Sequence, residues 1–471
     1  MNVCLLNDSF PPVIDGVANT VMNYAQVLTA QGDKALVGTP RYPDADYTGY
    51  PYEVIPYQSF DTESIVSGYR AGNPLAMDAV AEMKAFHPDI IHSHCPAAST
   101  IMARVLRNET DAPIVFTYHT KFDVDIARAF KAEFMQRESA RFMVNNIESC
   151  DEVWTVSEGA ADNLRSLGFT GETRVMVNGV DFAKGRAADD LVIKATKDYD
   201  LPAEVPVFLF VGRIMNYKGL PLIIDALEMV HKVSRADFRM VFVGGGLDAD
   251  ALKEAAIQKG LQDKVIFTGP IHDRELLRAW NTRATLFLFP STYDTNGIVV
   301  REAAACGLAS VLIKGSCAAE GIADNRNGFL IEEDPMLMAG LLTEICHNMN
   351  KAHDAGQHAM DEIYLSWEDS VHTAYERYGE ILDLKKAGAY EKRRHIKTNF
   401  SLKVAASYAQ WMEELVKKPR ALYEGMQENF SEGFDELREY GHNLKHFMEQ
   451  MTGDIKDITN EVKKSLGDSD S

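Results

Sequence analysis

The chain has 471 residues, too many for one ordinary core, and its 46% apolar content is that of a globular protein with two domains and an extension. A formal charge of −21 argues against a dedicated nucleic-acid binder. The six cysteines are scattered, no run of about 18 apolar residues spans a membrane, and Met1-Asn-Val-Cys-Leu-Leu lacks a signal peptide's basic start, so free thiols in a cytoplasmic protein are expected.

In chain order, residues 3–6, 35–38, 90–92, 114–118, 152–156 and 174–177 read as buried strands. Helical periodicity lies between them, for example over 18–30 and 77–85. A second series begins at 207–212 and continues through 240–243, 264–268, 285–289 and 310–313. Strand–helix alternation of this kind predicts an α/β fold with two doubly wound parallel sheets, residues 1–190 and 191–384, facing one cleft. A helix over 367–384 ends this body.

Residues 385–471 read as a helical extension. Between 383 and 420 stand ten Lys/Arg against four Asp/Glu, a balance suited to anionic lipid headgroups or to a plain solvated helix face. Farther on, Phe434, Leu437, Leu444, Met448, Met451, Ile455, Ile458 and Val462 recur in steps of three and four, apart from Gly441 in one seam position. A self-associating helix, hence a homo-oligomer, is the first expectation, with packing on the body or on a membrane as alternatives.

The segment richest in chemistry is Asp294-Thr-Asn-Gly-Ile-Val-Val-Arg-Glu302. An apolar strand precedes it, and helical spacing begins after Gly297. Asp294 therefore sits on the loop leaving a strand, and Glu302 on the second turn of the next helix. A ligand outside the parallel sheet would meet both acids and the backbone N–H groups at the helix start. Acids there can hold sugar hydroxyls, while amides hold phosphate oxygens. On the first sheet, Asn7-Asp-Ser-Phe-Pro-Pro-Val-Ile-Asp-Gly16-Val17 joins strand to helix, and Gly16 permits close backbone approach to a ligand or simply makes a tight turn. Arg213 and Lys218 share one loop after a buried strand and suit a diphosphate.

Gly16, Arg213…Lys218 and Asp294…Glu302, in this order and spacing, resemble the marks of glycosyltransferase family 4, retaining enzymes of the GT-B fold. The likeness covers about residues 1–384 and includes Val156-Ser-Glu158, Val177-Asn-Gly-Val-Asp181 and Ser366-Trp-Glu368. The chain departs from the family at Asp294, where glutamate is usual, and at Asn296, where many members carry an aromatic. The shorter acid bears on which hexose is held.

What the resemblance implies is a nucleotide-diphosphate-sugar donor and no metal or other cofactor. Glu302 would grip the ribose, Asp294 a hydroxyl of the transferred sugar, and the amides around Asn296, Gly297 and Ile298 the sugar or distal phosphate. Gly16 and Val17 would approach the donor from the first domain. Arg213 and Lys218 would neutralise the departing diphosphate. His119, ending the run Ile114-Val-Phe-Thr-Tyr-His119, would hydrogen-bond the donor sugar or the reacting acceptor hydroxyl, a buried packing role being the alternative. His92 and His94 read equally as packing or supporting groups.

Acceptor identity rests on weaker signals. Aromatic and basic residues mix at helical spacing from Phe122 through Arg128, Arg137, Arg141 and Phe142, as on an interfacial helix or on an amphipathic helix packed against the domain. The Tyr-His-Thr run looks like that of diacylglycerol glucosyltransferases. The expectation is a hexosyltransferase using UDP-glucose or a related donor and a membrane glycolipid or diacylglycerol acceptor, peripheral on the inner membrane face. A soluble or envelope polysaccharide acceptor is the runner-up, a UDP-sugar epimerase or a non-catalytic scaffold the more distant readings.

Overall fold

The computed structural model describes residues 1–390 apart from 14, 44, 62–68 and 130–132. The first half contains β1 (Asn2–Leu6), β2 (Lys34–Pro40), β3 (Glu53–Tyr57), β4 (Ser59–Asp61), β5 (Arg70–Gly72), β6 (Ile90–Ser93), β7 (Ile114–Tyr118), β8 (Glu152–Thr155) and β9 (Arg174–Val175). Seven of these form a sheet in the order β3-β2-β1-β6-β7-β8-β9, parallel throughout, with β4 and β5 paired antiparallel apart from it. Near-continuous burial of β1, β6 and β7 is what helices on both faces of a parallel sheet require.

The second half repeats the plan with β10 (Val207–Val211), β11 (Arg239–Val243), β12 (Val265–Gly269), β13 (Leu286–Phe289), β14 (Ser310–Ile313) and β15 (Phe329–Ile331), in the order β12-β11-β10-β13-β14-β15. All its pairs are parallel. In each sheet the strand order reverses beside its first strand, between β1 and β6 and between β10 and β13. Loops leaving those four strands frame the crevice where open α/β sheets take ligands. They carry Gly16, His94, Lys218 and Asp294.

The last described helix, Trp367–Lys386, falls in the segment that sequence periodicity assigns to the second half, yet it packs on the first. Trp367, Val371, Ala374, Tyr378 and Ile381, spaced by four and three, join a core containing Val3, Leu5, Tyr24 and Trp154. Burial of each large apolar side chain stabilises by roughly 1.5–3 kcal/mol, so this seam ties the chain's return to the first sheet. The chain crosses between halves twice at one point, where Val180 N donates to Leu365 O at 2.9 Å. Gly179 permits it: a Cβ there would lie 2.5 Å from Ser366 O.

Two edge strands escape the sequence reading. β3 contains Pro56, which lacks a ladder donor and is tolerated only at an edge, and β15 is three residues long. The stretch from Phe122 to Phe142 divides into helices Phe122–Ala129 and Glu133–Glu148. The extension beyond 390, with its basic segment and apolar seam, lies outside the described residues. No helix among the described residues is long and apolar enough to cross a membrane.

Candidate active site

β13 is buried along its length and ends at Phe289, and the loop that begins at Pro290 turns through Gly297 into helix Ile298–Ala305. Gly297 has φ +61°, and a Cβ on it would come within 2.9 Å of the Ala318 side chain, so this turn favours glycine on two counts. The helix starts with no side-chain cap, leaving its first amides without a side-chain acceptor. Just before it, the buried Asn296 amide nitrogen has no hydrogen-bond partner among the described residues. A donor left so in a buried place costs about 1–3 kcal/mol unless something binds it.

Asp294 and Lys218, which the sequence reading gives separate tasks, form one unit. The Lys218 ammonium donates to both carboxylate oxygens of Asp294 at 2.7 and 2.9 Å, and Ser291 Oγ donates to Oδ2 at 2.6 Å. Lys218 ends the turn Asn216–Lys218 after β10 and is 9% exposed, its ammonium 5.6 Å from the centre of the Phe289 ring. An ammonium has three N–H groups and a carboxylate about four acceptor sites. The unit therefore retains one donor and one acceptor for a ligand.

Glu302 meets a cation that sequence reasoning missed. Arg274 Nη2 lies 2.5 Å from Glu302 Oε1 and also pairs with Asp181, its Nε donating to Oδ2 at 3.0 Å. The guanidinium sits 4.5 Å over the Phe182 ring. Glu302 is 6% exposed; burial pushes its carboxyl up, against the pull of Arg274. Burial opposes the charge on Arg274, but Glu302 and Asp181 outweigh it and hold the guanidinium above its ordinary range. Arg274 opens helix Arg274–Arg283 after Asp273, whose carboxylate caps Glu275 N and Leu276 N. An Asp-Arg pair at a helix start after a strand was the available signal, too common in a charged chain to stand out.

Arg213 is exposed and has no ion pair among the described residues. Its charge acts on the Tyr69 hydroxyl of the first half, which donates to Asp15 Oδ2 at 2.8 Å. Asp15 also accepts from Val17 N and Ala18 N at 2.9 and 2.7 Å. The Val17 amide, expected to face a donor, is thus spent on its own helix cap. Gly16 is exposed, with open space where a side chain would stand.

His119 follows β7 and is 8% exposed. Its Nε2 lies 2.9 Å from His94 Nδ1, and the two rings stack at 5.2 Å. His94 lies 4.0 Å from the ring of His92, which bonds Tyr378 OH at 2.6 Å and Thr117 Oγ1 at 2.7 Å. Burial pushes the His119 imidazole down to about 3; burial and the neighbouring histidines hold His94 well below its usual range. All three rings are neutral at pH 7. Among the described residues no three His, Cys, Asp or Glu side chains are grouped as metal ligands.

The acid loop is stitched to this wall. Thr295 Oγ1 donates to His119 O at 2.5 Å, Ser157 Oγ to Thr295 O at 2.5 Å, and Lys121 Nζ to Thr292 O at 3.1 Å. Glu320 reaches across to accept from Glu158 N and Gly159 N at 2.8 and 2.7 Å, at the start of helix Glu158–Ser166. His119, Asp294 and Lys218 are thereby gathered at one end of the cleft, with Glu302 on helix Ile298–Ala305, which follows the acid loop. The structure can receive a ligand with hydroxyls at one end and anionic oxygens at the other.

Two family models match the chain: that for Glycosyltransferase Family 4 over residues 14–184, and that for Glycosyl transferases group 1 over residues 193–361. D-inositol 3-phosphate glycosyltransferase of Acidothermus cellulolyticus is 27% identical over 64% of this chain and 70% of that protein. Alpha-monoglucosyldiacylglycerol synthase of Streptococcus pneumoniae is 25% identical over 65% and 70%. Among solved structures, Anabaena HepE in complex with UDP-glucose superimposes with a TM-score of 0.61 at 19% identity, over 81% of this chain and 99% of that one. That likeness is one of fold.

Proposed function

Since this chain belongs to the family-4 glycosyltransferases and has their GT-B fold, we propose that it is a retaining, metal-independent hexosyltransferase, with UDP-glucose as donor and a glycolipid or diacylglycerol as acceptor. The observation that carries this reading is the joining of Asp294–Lys218 to His119 through Thr295. It sets a sugar-binding acid and a phosphate-binding cation within one short loop contact of a neutral imidazole. UDP-glucose is favoured because the fold neighbour named above was solved with it, and the lipid acceptor because one relative is a monoglucosyldiacylglycerol synthase.

In the mechanism, the remaining N–H of Lys218 and the Arg213 guanidinium, which has no ion pair among the described residues, meet negative charge as it grows on the departing diphosphate. That interaction is strongest in the transition state, so it accelerates the chemical step and not merely binding. The free acceptor site of Asp294 takes a hydroxyl of the sugar, and the Asn296 amide offers a donor beside it. Glu302 takes the ribose hydroxyls once Arg274 yields part of its hold. His119, neutral and nearly buried, serves as a hydrogen-bonding group and not as a proton carrier at pH 7. Acceptor hydroxyls enter from the first-half wall, where Asp15 and Tyr69 stand opposite Arg213.

The test is to incubate the purified protein with a panel of nucleotide sugars and extracted lipids. Consumption of one donor with transfer to lipid is expected, and Glu302→Ala and Arg213→Ala should each lower it by about tenfold or more. No donor bound or consumed, with both variants indistinguishable from the unmodified protein, would end the reading.

A further inference from the structure

His94, like His92, reads from sequence as a packing or supporting group, and the structure makes its placement specific. The ring follows β6, is 2% exposed, and lies between His92 and His119, with the Tyr24 ring edge-on at 5.8 Å. Its backbone N–H is fixed to Leu6 O at 2.9 Å. One polar contact joins its side chain to the site: Nδ1 to His119 Nε2 at 2.9 Å. Its other nitrogen, Nε2, is buried with no partner among the described residues.

Two neutral imidazoles sharing one hydrogen bond can place the proton in two ways. If His119 Nε2 carried it, His94 would accept at Nδ1 and hold its own proton on Nε2, a buried donor with nothing to receive it. If His94 Nδ1 carries it, the orphaned His94 Nε2 is only a lone pair. Buried N–H groups without partners are the rarer and costlier case. The second arrangement obliges His119 to hold its own proton on Nδ1, which also has no partner among the described residues but, unlike His94 Nε2, is not fully buried, so solvent or a ligand can receive it.

We propose that His94 is a positioning residue: its hydrogen bond to His119 Nε2 fixes the His119 proton on Nδ1, so that His119 offers the bound sugar a donor and not a base. The proposal rests on the donor-site reading above for what His119 meets, but not for the state of its ring. It also explains why a histidine without a direct place in the cleft is held so closely by its neighbours.

Nitrogen-15 histidine labelling of the full chain reads each ring's tautomer directly. His119, assigned by its loss in His119→Asn, should carry its proton on Nδ1. His94→Phe keeps bulk but has no ring nitrogen; it should move His119 toward the Nε2–H form and lower UDP-glucose turnover by about tenfold while UDP alone binds as before. His94→Asn, whose amide can donate where Nδ1 stands, should restore both to within about threefold. A His119 proton on Nε2 in the unmodified protein would overturn the proposal. So would His94→Asn impaired as severely as His94→Phe at equal melting temperature. Absence of any nucleotide-sugar turnover in the unmodified protein would count against the donor reading alone, and the tautomer would still decide the role of His94.

Discussion

The two walls of the cleft handle polarity in opposite ways. On the second-half wall, charge is kept and compensated: Lys218 with Asp294, Arg274 with Glu302 and Asp181. On the first-half wall, three buried imidazoles stay neutral, and four of their six nitrogens are bonded, His94 to His119 and His92 to Thr117 and Tyr378. The difference teaches how one cleft can accommodate a ligand that is anionic at one end and neutral at the other. Phosphate oxygens need cations already placed, whereas a sugar needs directional hydrogen bonds without a field that attracts phosphate to the wrong end.

Breaking the charged wall should have the largest effect. On the proposed donor site, Lys218→Ala removes the ammonium that would meet the departing diphosphate and strands Asp294, and kcat should fall about a hundredfold or more. Lys218→Arg should recover little, because a planar fork cannot replace a point charge over the Phe289 ring. Steady-state kinetics with the consumed donor would measure both.

Arg274→Gln should cost about 1–3 kcal/mol in denaturant unfolding, toward the low end because the Arg274 side chain is 44% exposed while that of Glu302 is 8% exposed. Arg274→Gln with Glu302→Gln should regain part of that loss, since the second change removes the stranded buried charge. A double variant as unstable as the sum of its singles would mean that the contact contributes nothing.

The neutral wall is sharpened by pH. Unfolded histidines take up protons below about pH 6.5, whereas the folded His119 resists until about pH 3 and His92 and His94 also resist. Their contribution to stability is complete above pH 6.5 and declines as pH falls through that value. Asp8, pushed up to about 6 by burial against its bonds from Ser99, acts with the opposite sign, losing its contribution as pH rises from about 4 to 6. Melting temperature should therefore drop between pH 7.5 and 6, where the histidines act with least opposition. A flat profile there would contradict the neutral stack.

The smallest effect is expected where the walls meet. Glu320→Gln weakens the acceptor for Glu158 N and Gly159 N and removes a charge from a helix start, a loss of about 0.5–1 kcal/mol. Thermal unfolding would detect it, and a shift larger than several degrees would point to a more central role for that contact.

Much of this architecture was legible in the chain. Buried strands such as Val207–Val211 are continuous apolar runs, and the loops after them carry Arg213, Lys218 and Asp294 at recognisable spacing. What stayed hidden was pairing between distant segments. The Asp-Arg pair at the start of helix Arg274–Arg283 does not identify Glu302 as its partner, since the contact joins side chains of two separate helices. Asp15 has no assigned role in the sequence, and its carboxylate takes up the Val17 amide that was expected to face a donor. The return of Trp367–Lys386 to the first sheet was hidden too, because its three-and-four spacing announces an apolar face but not which core receives it.

The most direct test of the donor site is calorimetric titration of Asp294→Asn with UDP and with UDP-glucose, alongside turnover. UDP should bind at least as well as to the unmodified protein, because Lys218 is released toward the phosphates. The added affinity contributed by glucose should vanish, and turnover should fall about a hundredfold. Equal affinity for both ligands before and after the substitution, with turnover unchanged, would contradict the account.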